Sequence, residues 1–163
     1  MRTALYSNLW RYWIPPLIWA LVIMVLSGDL GSGKNTFSPF KWVLSLFVTL
    51  GPDSLNLAHF YFRKLMHVVC YGFLTILWFR ALKASYPERF WTNMVMALVL
   101  CLAVALVDEG HQYVVNTRTS SWRDVGLDLS GGVVFLILCA RYFKKNMVAP
   151  DEAAPASSGH LTP

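Results

Sequence analysis

The chain has 163 residues, enough for one domain, and 56% of them are hydrophobic while only 14% are charged. Soluble domains carry about 25% charged residues, so this composition excludes an ordinary soluble protein and indicates an integral membrane protein. The net charge of +5 does not indicate nucleic-acid binding, because the basic residues stand at the ends of apolar segments and form no continuous stripe.

The first predicted transmembrane helix covers residues 10–27. Its apolar stretch lacks charged side chains, and Trp10 and Trp13 stand at its start, where aromatic residues collect at a membrane interface. Pro15 and Pro16 are early enough to be tolerated in a first turn. The arginines that precede it would also suit a secretory signal peptide, but no small-residue cleavage motif follows, so we expect a retained helix.

The next segment, "GDLGSGKNT" (residues 28–36), nearly matches a phosphate-binding loop. Gly28, Gly33 and Lys34 have the required spacing, but the following position is Asn35, where such a loop needs Ser or Thr to bind Mg²⁺. The strand that should precede the loop is also missing, because a membrane helix comes first. We therefore expect a flexible connection and no nucleotide site.

A short amphipathic helix is predicted at residues 40–50, "FKWVLSLFVTL". Lys41, Ser45 and Thr49 recur every four residues and so share one helical face. Such a segment rises about 16 Å, too little to cross a hydrocarbon core of roughly 30 Å. It is expected to lie in the membrane interface or over the mouth of the bundle.

Three further transmembrane helices are predicted at residues 57–82, 91–112 and 124–143. The chain is thus predicted to be all-α, a polytopic four-helix membrane bundle over residues 1–145, with a short amphipathic helix between the first two spans. Residues 146–163 are rich in Ala, Pro and Ser and are predicted to be a disordered tail. The three cysteines lie in separate apolar runs without metal-ligand spacing, so we interpret them as buried hydrophobic residues.

The basic residues predict the orientation of the bundle. Eight of the 14 Lys and Arg fall on the side that carries both termini, and six fall on the other side. Cytoplasmic segments of membrane proteins carry the excess of basic residues, so both termini are expected in the cytoplasm.

Ionisable residues of two predicted helices fall at the same depth. Asp128 is 13 residues from Arg141, and His67 is 13 residues from Arg80. Each therefore lies about 20 Å above its cytoplasmic anchor, roughly 10 Å inside the outer edge of the hydrocarbon core, whereas Glu109 lies near the outer surface. A charge inside the core costs about 2.5–3.5 kcal/mol, so His67 and Asp128 should face each other or water.

Each of the last three predicted helices has polar residues spaced three or four apart, hence on one face: Lys64, His67 and Tyr71; Asp108, His111 and Gln112; Asp124 and Asp128. Gly131 and Gly132 would let a neighbouring helix approach closely. We expect one outward-facing polar cavity, lined by these three helices and covered by the loop at residues 113–123.

Two stretches, "RKLMHVVCYGFLTIL" and "VDEGHQYVVNTRTSSWRDVGLDLSGG", resemble the VanZ-like family of small bacterial membrane proteins. The matching pattern is Lys-x-x-His-x-x-x-Tyr, then Asp-Glu-x-x-Gln, a loop Arg, and Asp-x-x-x-Asp before small residues, over about residues 63–138. Leu129 and Ser130 depart from the Asn or Thr often found before the Gly. The resemblance implies a four-helix protein of the bacterial cytoplasmic (inner) membrane. It also implies a link to low-level resistance to teicoplanin, a glycopeptide antibiotic acting at the cell wall, but no particular reaction.

Whether the protein is an enzyme stays open at this point. An enzyme acting on a lipid-linked envelope substrate would use Glu109 or Asp128 as general base and His67 as partner acid or base, with Asp108 and Asp124 as further candidates. Five residues are the candidates for binding the substrate and its phosphate: Lys64, Tyr71, Gln112, Arg118 and Arg123. The His and carboxylates could also hold a divalent cation, but most of the acids have basic neighbours, so neither a metal nor another cofactor is predicted.

Two other interpretations compete with catalysis. The protein could bind a lipid-linked glycan or a glycopeptide without chemistry, or transport an amphipathic molecule, and four helices are few for a transporter, so transport would predict an oligomer. Alternatively, the polar cluster only holds the bundle together. "SWRD" can be a capping box with Ser121 as N-cap and Asp124 three residues on, and Asp128 can form a buried ion pair with Lys64, Arg118 or Arg123.

Overall fold

The computed structural model describes the backbone of residues 2–115 and 122–148, and side chains within residues 10–113 and 122–142. The described residues form five α-helices, joined in one place by a 3₁₀ turn at Asp29–Gly31, and they contain no strand. The helices are α1 (Arg2–Ser27), α2 (Gly33–Ser45), α3 (Pro52–Ser85), α4 (Phe90–Val115) and α5 (Trp122–Val148). The all-α prediction is confirmed.

Four of these helices are long and apolar enough to cross a membrane: Trp10–Ser27, Pro52–Ser85, Phe90–Tyr113 and Trp122–Tyr142. Their outer surfaces keep large apolar side chains exposed, for example Leu21, Trp91 and Val107. Such a surface would favour aggregation in water, but it is normal for the lipid-facing side of a membrane bundle. The chain is a multi-pass membrane protein with the predicted four-helix bundle and a short helix, α2, between its first two spans.

The long helix α3 is the centre of the bundle, since α1, α2, α4 and α5 all pack against it. Its buried side chains include Leu74 and Trp78. On α4, Ala97, Cys101 and Ala105 are buried at intervals of four residues and therefore form one face of small side chains. In membrane bundles small residues let helix backbones approach closely, and α4 uses this face toward the core.

Glycines of α5 bring that helix against α3. A Cβ added to Gly131 would collide with the backbone carbonyl of Val68, and one added to Gly132 would lie 2.7 Å from the Thr75 hydroxyl oxygen. The prediction that these glycines permit a close helix approach is confirmed.

Helix α1 meets α3 through aromatic side chains. Trp13 Nε1 donates to the Ser85 hydroxyl at 3.0 Å, and Trp19 Nε1 donates to the Cys70 carbonyl at 3.0 Å. The Trp19 ring also packs edge-on against Phe73, with centroids 5.0 Å apart. Because the two helices are antiparallel, Trp13 contacts the end of α3 and Trp19 contacts its middle.

The predicted element boundaries need correction around α2. This helix begins at Gly33, so residues 33–36 are helical and do not form the flexible connection that was expected. The turn before it is closed by Asn35 Nδ2, which donates to the Asp29 carbonyl, and Thr36 Oγ1, which donates to the Ser32 carbonyl. The helix also ends at Ser45, before the predicted end at residue 50.

The other helices are longer than predicted. Helix α3 begins at Pro52, five residues before the expected start, because proline suits the first position of a helix. Helix α5 continues to Val148, so residues 146–148 of the predicted tail are helical. The rest of that tail lies outside the described residues.

Candidate functional site

Three residues on one face of α3 each meet an acidic residue of a neighbouring helix at the end of the bundle where α1 ends and α5 begins, which we call the polar end. The three contacts are Lys64 with Asp124, His67 with Asp128, and Tyr71 with Asp108. Spacings of three and four residues put the α3 side chains on one face. The structure therefore brings together six of the residues that the sequence predicted for the site.

The outermost contact is the ion pair between Lys64 and Asp124, in which Lys64 Nζ donates to Asp124 Oδ1. Asp124 lies in the first turn of α5, where a negative charge is favoured by the helix dipole. Both side chains are partly exposed. Lys64 and Asp124 thus join α3 to α5, whereas the structural alternative from the sequence placed Lys64 among the possible partners of Asp128. The predicted cap of Asp124, Ser121, lies outside the described residues.

One turn deeper, His67 Nδ1 lies 3.1 Å from Asp128 Oδ1. The Asp128 side chain is only 4% exposed, while that of His67 is 20% exposed. The two residues face each other, as their equal predicted depth required. An aspartate at Nδ1 orients the imidazole ring, so this pair has the geometry for acid–base work through Nε2.

The deepest contact gathers three donors on one carboxylate oxygen. Asp108 Oδ2 accepts hydrogen bonds from Ser27 Oγ at 2.7 Å, Tyr71 OH at 3.0 Å and Gln112 Nε2 at 3.0 Å. Gln112 Nε2 also donates to Ser27 Oγ at 2.6 Å. Asp108 is buried, and its Oδ1 has no hydrogen-bond partner within the described part of the chain. The group ties α1, α3 and α4 together at one point.

Ser27 is a site residue that the sequence reasoning missed. It is the last residue of α1 and is buried. A single serine has no periodic partner on its helix, so spacing gives no signal for it. Its position at the end of an uncharged span, at the depth of the other polar residues, was the available clue.

The side chains of His67 and Tyr71 are in contact with each other on α3. Their rings lie nearly parallel, at 12°, with centroids 6.3 Å apart. A ring contact therefore links the hydrogen bond of His67 with Asp128 on α5 to that of Tyr71 with Asp108 on α4.

A cavity of about 250 Å³ lies between α1 and α3 at the polar end, next to the 3₁₀ turn and the start of α2. Its apolar walls include Trp19, Val22, Ile23, Leu26, Phe62 and Met66. Five polar residues also line it: Ser27, Thr36, Arg63, His67 and Tyr71. The ring of His67 is thus shared between the cavity and the contact with Asp128.

This cavity has different walls from the predicted one, which was to be lined by the last three spans. Helices α4 and α5 pack tightly on α3 because small residues such as Cys101 and Gly131 occupy the interfaces, and little space is left there. The cavity that contains His67 and Tyr71 instead lies beside α1. The predicted cover, the loop at residues 113–123, falls largely outside the described residues.

Glu109 and Arg123, two predicted site residues within the described part of the chain, do not line this cavity. Glu109 lines a second cavity, between α4 and the start of α5, together with Leu106, Tyr113 and Trp122. Arg123 is exposed in the first turn of α5, and Arg118 lies outside the described residues. Adjacent residues on a helix point about 100° apart, so Asp108 faces the core while Glu109 faces this second cavity.

Within residues 10–113 and 122–142, no group of three or more His, Cys, Asp or Glu side chains is placed to hold a metal ion. Cys70, Cys101 and Cys139 are free thiols; Cys101 is buried and the other two are partly buried, close to the interpretation as hydrophobic residues.

A protein-family model described as VanZ/LLP1 matches residues 12–144 of the chain. The match includes all four spans, and the chain belongs to this family. The predicted resemblance is confirmed, and it extends through α1, which the motifs alone did not cover. Searches of curated proteins and of solved structures gave no significant match.

Proposed function

We propose that this VanZ-family protein binds a lipid-linked component of the bacterial cell envelope in the cavity between α1 and α3. The proposal is supported by the lining of that cavity, which is mostly apolar and includes the polar side chains of Arg63 and His67. Ligand sites have mostly apolar linings with a few polar groups that fix orientation. An amphipathic molecule matches such a lining.

The site is proposed to face away from the cytoplasm, at the cytoplasmic membrane of a bacterium. The basic residues that favour a cytoplasmic location stand at the other end of the bundle, among them Arg80, Lys83 and Arg89. Lipid-linked wall precursors and glycopeptide antibiotics meet on the outer face of this membrane. A protein that binds such a precursor, or the apolar part of the drug, would change susceptibility to teicoplanin-type antibiotics.

A second candidate is an enzyme that performs acid–base chemistry at this cavity. The observation that favours it is the contact of 3.1 Å between His67 Nδ1 and the buried Asp128 carboxylate. His67 Nε2 would take a proton from a water or hydroxyl group, and Asp128 would position the ring and stabilise the imidazolium. The reaction would be hydrolysis or group transfer on the bound molecule.

A teicoplanin susceptibility assay tests both candidates in bacterial cells that produce the full chain. We expect wild type to raise the inhibitory concentration and His67→Ala to lose the protection. Asp128→Asn retains the shape of the pair without its charge, so it separates the candidates: lost protection favours chemistry at His67, and retained protection favours binding alone.

The control is Lys41→Gln, which removes an exposed charge of α2 outside the cavity. Membrane levels of every variant are measured by immunoblot. If wild type gives no protection, or if His67→Ala protects fully at equal levels, the proposed link between this cavity and resistance is wrong.

A further inference from the structure

The cavity between α1 and α3 carries a cation at its outer mouth. Arg63 lines it one turn beyond His67, and no acidic side chain is among its described lining residues. Arg63 Nη2 donates to the Gly31 carbonyl at 3.3 Å. The guanidinium is therefore held at the turn that closes this end of the cavity.

Glycine at position 33 makes room for that guanidinium. A Cβ added to Gly33 would lie 2.9 Å from Arg63 Nη1. The start of α2 and the side chain of Arg63 are thus packed against each other, and both the turn and α2 border the cavity through Gly31 and Thr36.

The neighbouring cation on α3 has a different role. Lys64 forms the ion pair with Asp124 on the side of α3 that faces α5. Arg63, which the sequence reasoning did not select, is the cation on the α1 side. A negatively charged group that enters the cavity would meet Arg63 before any other charged side chain of its lining.

The shape of the cavity limits what can enter. Its volume of about 250 Å³ is below the roughly 300–1,000 Å³ of pockets for drug-sized ligands, so it can take a slender chain but no glycopeptide nucleus. Leu26, Phe62 and Met66 line it and yet remain 51%, 42% and 42% exposed. The cavity is therefore open along these residues, which stand where the hydrocarbon of a bilayer would lie.

We propose that this cavity binds a membrane lipid phosphate with one apolar chain along α1 and α3 and its phosphate on Arg63. The guanidinium can donate two parallel hydrogen bonds to phosphate, a stronger and more selective contact than an ammonium makes. The inference deepens the proposed binding function and rests on it, since it names the charge and chain number of the ligand.

The test uses the full chain in phosphatidylcholine vesicles with two photoactivatable probes of equal chain length. One is an alkyl phosphate with a diazirine in its chain, and the other is the corresponding alcohol. Cross-linked positions are located by peptide mass spectrometry. We expect the phosphate probe to label the part of α3 around Met66 and Cys70 about tenfold more than the alcohol does, because one charge-assisted contact is worth at least that factor.

Two pairs of variants make the result specific. Arg63→Gln should reduce labelling by the phosphate probe about tenfold, whereas Lys41→Gln should leave it unchanged. Val22→Phe fills the cavity and should reduce labelling by both probes. Its matched control is Val25→Phe, at an exposed position of α1 that does not line the cavity.

The outcomes separate this inference from the proposed function. Equal labelling of the cavity by both probes, with no effect of Arg63→Gln, overturns the inference and leaves the apolar binding site intact. Labelling of the cavity no stronger than that of the outer face of α4 near Val99, which is 50% exposed, overturns both.

Discussion

Asp108 concentrates the hydrogen bonding of three helices on one carboxylate oxygen. The donors come from Ser27, Tyr71 and Gln112. Ser27 and Tyr71 donate from other helices, whereas Gln112 belongs to α4 itself. Hydrogen bonds between membrane helices average about 0.6 kcal/mol each, so losing the two interhelical bonds should cost about 1 kcal/mol. The stabilising role of Asp108 is therefore separable from the chemistry proposed at His67.

Asp108→Ala is expected to lower the Tm of the detergent-solubilised protein and to reduce its free energy of unfolding by about 1 kcal/mol. The control is Ser130→Ala, because Ser130 is exposed and its hydroxyl donates to the Leu127 carbonyl of its own helix. Equal stability of the two variants would contradict the tie between α1, α3 and α4.

Several site residues could be predicted because they repeat at helical spacing. Lys64, His67 and Tyr71 step by three and four, so their common face followed from periodicity alone. The choice between Asp108 and Glu109 could not be predicted, because adjacent residues point about 100° apart and only the packed rotation of α4 decides which one is buried. Arg63 could not be predicted as a site residue for a similar reason. Lys64 fits the spacing of three and four residues that relates it to His67 and Tyr71, and Arg63 does not.

At the scale of helices, the contact between α3 and α5 depends on Gly131. The Cβ of even an alanine would collide with the Val68 backbone, which cannot move as a flexible side chain would. An alanine would therefore force α3 and α5 apart, and this movement would lengthen the contacts of Asp124 and Asp128 with α3. Overpacking of this kind costs about 1–3 kcal/mol.

We expect Gly131→Ala to lower the Tm in detergent and to impair protection against teicoplanin if that protection depends on His67 and Asp128. The matched control is Gly126→Ala on the same helix, where an added Cβ meets nothing within 4 Å. Replacing that helical glycine should be neutral or stabilise by up to about 1 kcal/mol. A Gly131→Ala protein as stable as Gly126→Ala would rule out the close approach.

Helix number and order were predictable from apolar length, whereas helix ends were not. The polar residues in α3 before the uncharged run continue the helix, because His59 finds partners on α2. His59 Nε2 lies 3.1 Å from Thr36 Oγ1, and the rings of Phe37 and Phe40 pack against it with centroids at 5.2 and 5.1 Å. Such tertiary contacts carry no local signal in the sequence.

For the whole molecule, four spans predict that both termini lie on one side of the membrane. The distribution of basic residues predicts that this side is the cytoplasm. Single cysteines at Asp53 and Glu88, both exposed, test this in cells producing a variant whose native cysteines are replaced. An impermeant maleimide should label Asp53→Cys in intact cells and Glu88→Cys only after permeabilisation. The reverse pattern would invert the bundle and remove the proposed access of the site to the outer face.

The fold class followed from composition and apolar length, but the position of the cavity did not. A cavity is the space left after packing, so it depends on the sizes of side chains on helices that are distant in the sequence. Small residues closed the space between α3 and its neighbours α4 and α5, and the aromatic contacts of Trp19 left space beside α1. The spacing of residues within one helix predicts neither the closed interfaces nor the space beside α1.

The bond between Ser27 and Asp108 spans 81 residues of sequence, and this separation bears on how the protein is made. Helix α1 leaves the ribosome first, when neither Asp108 nor Gln112 has been synthesised. Asp108 is costly to bury in lipid without its donors, so α4 reaches a favourable position only beside α1 and α3 that are already paired. The aromatic contacts of Trp13 and Trp19 with α3 can form before α4 exists. During biosynthesis these contacts can therefore pair α1 with α3 before the polar end of α4 packs against both helices.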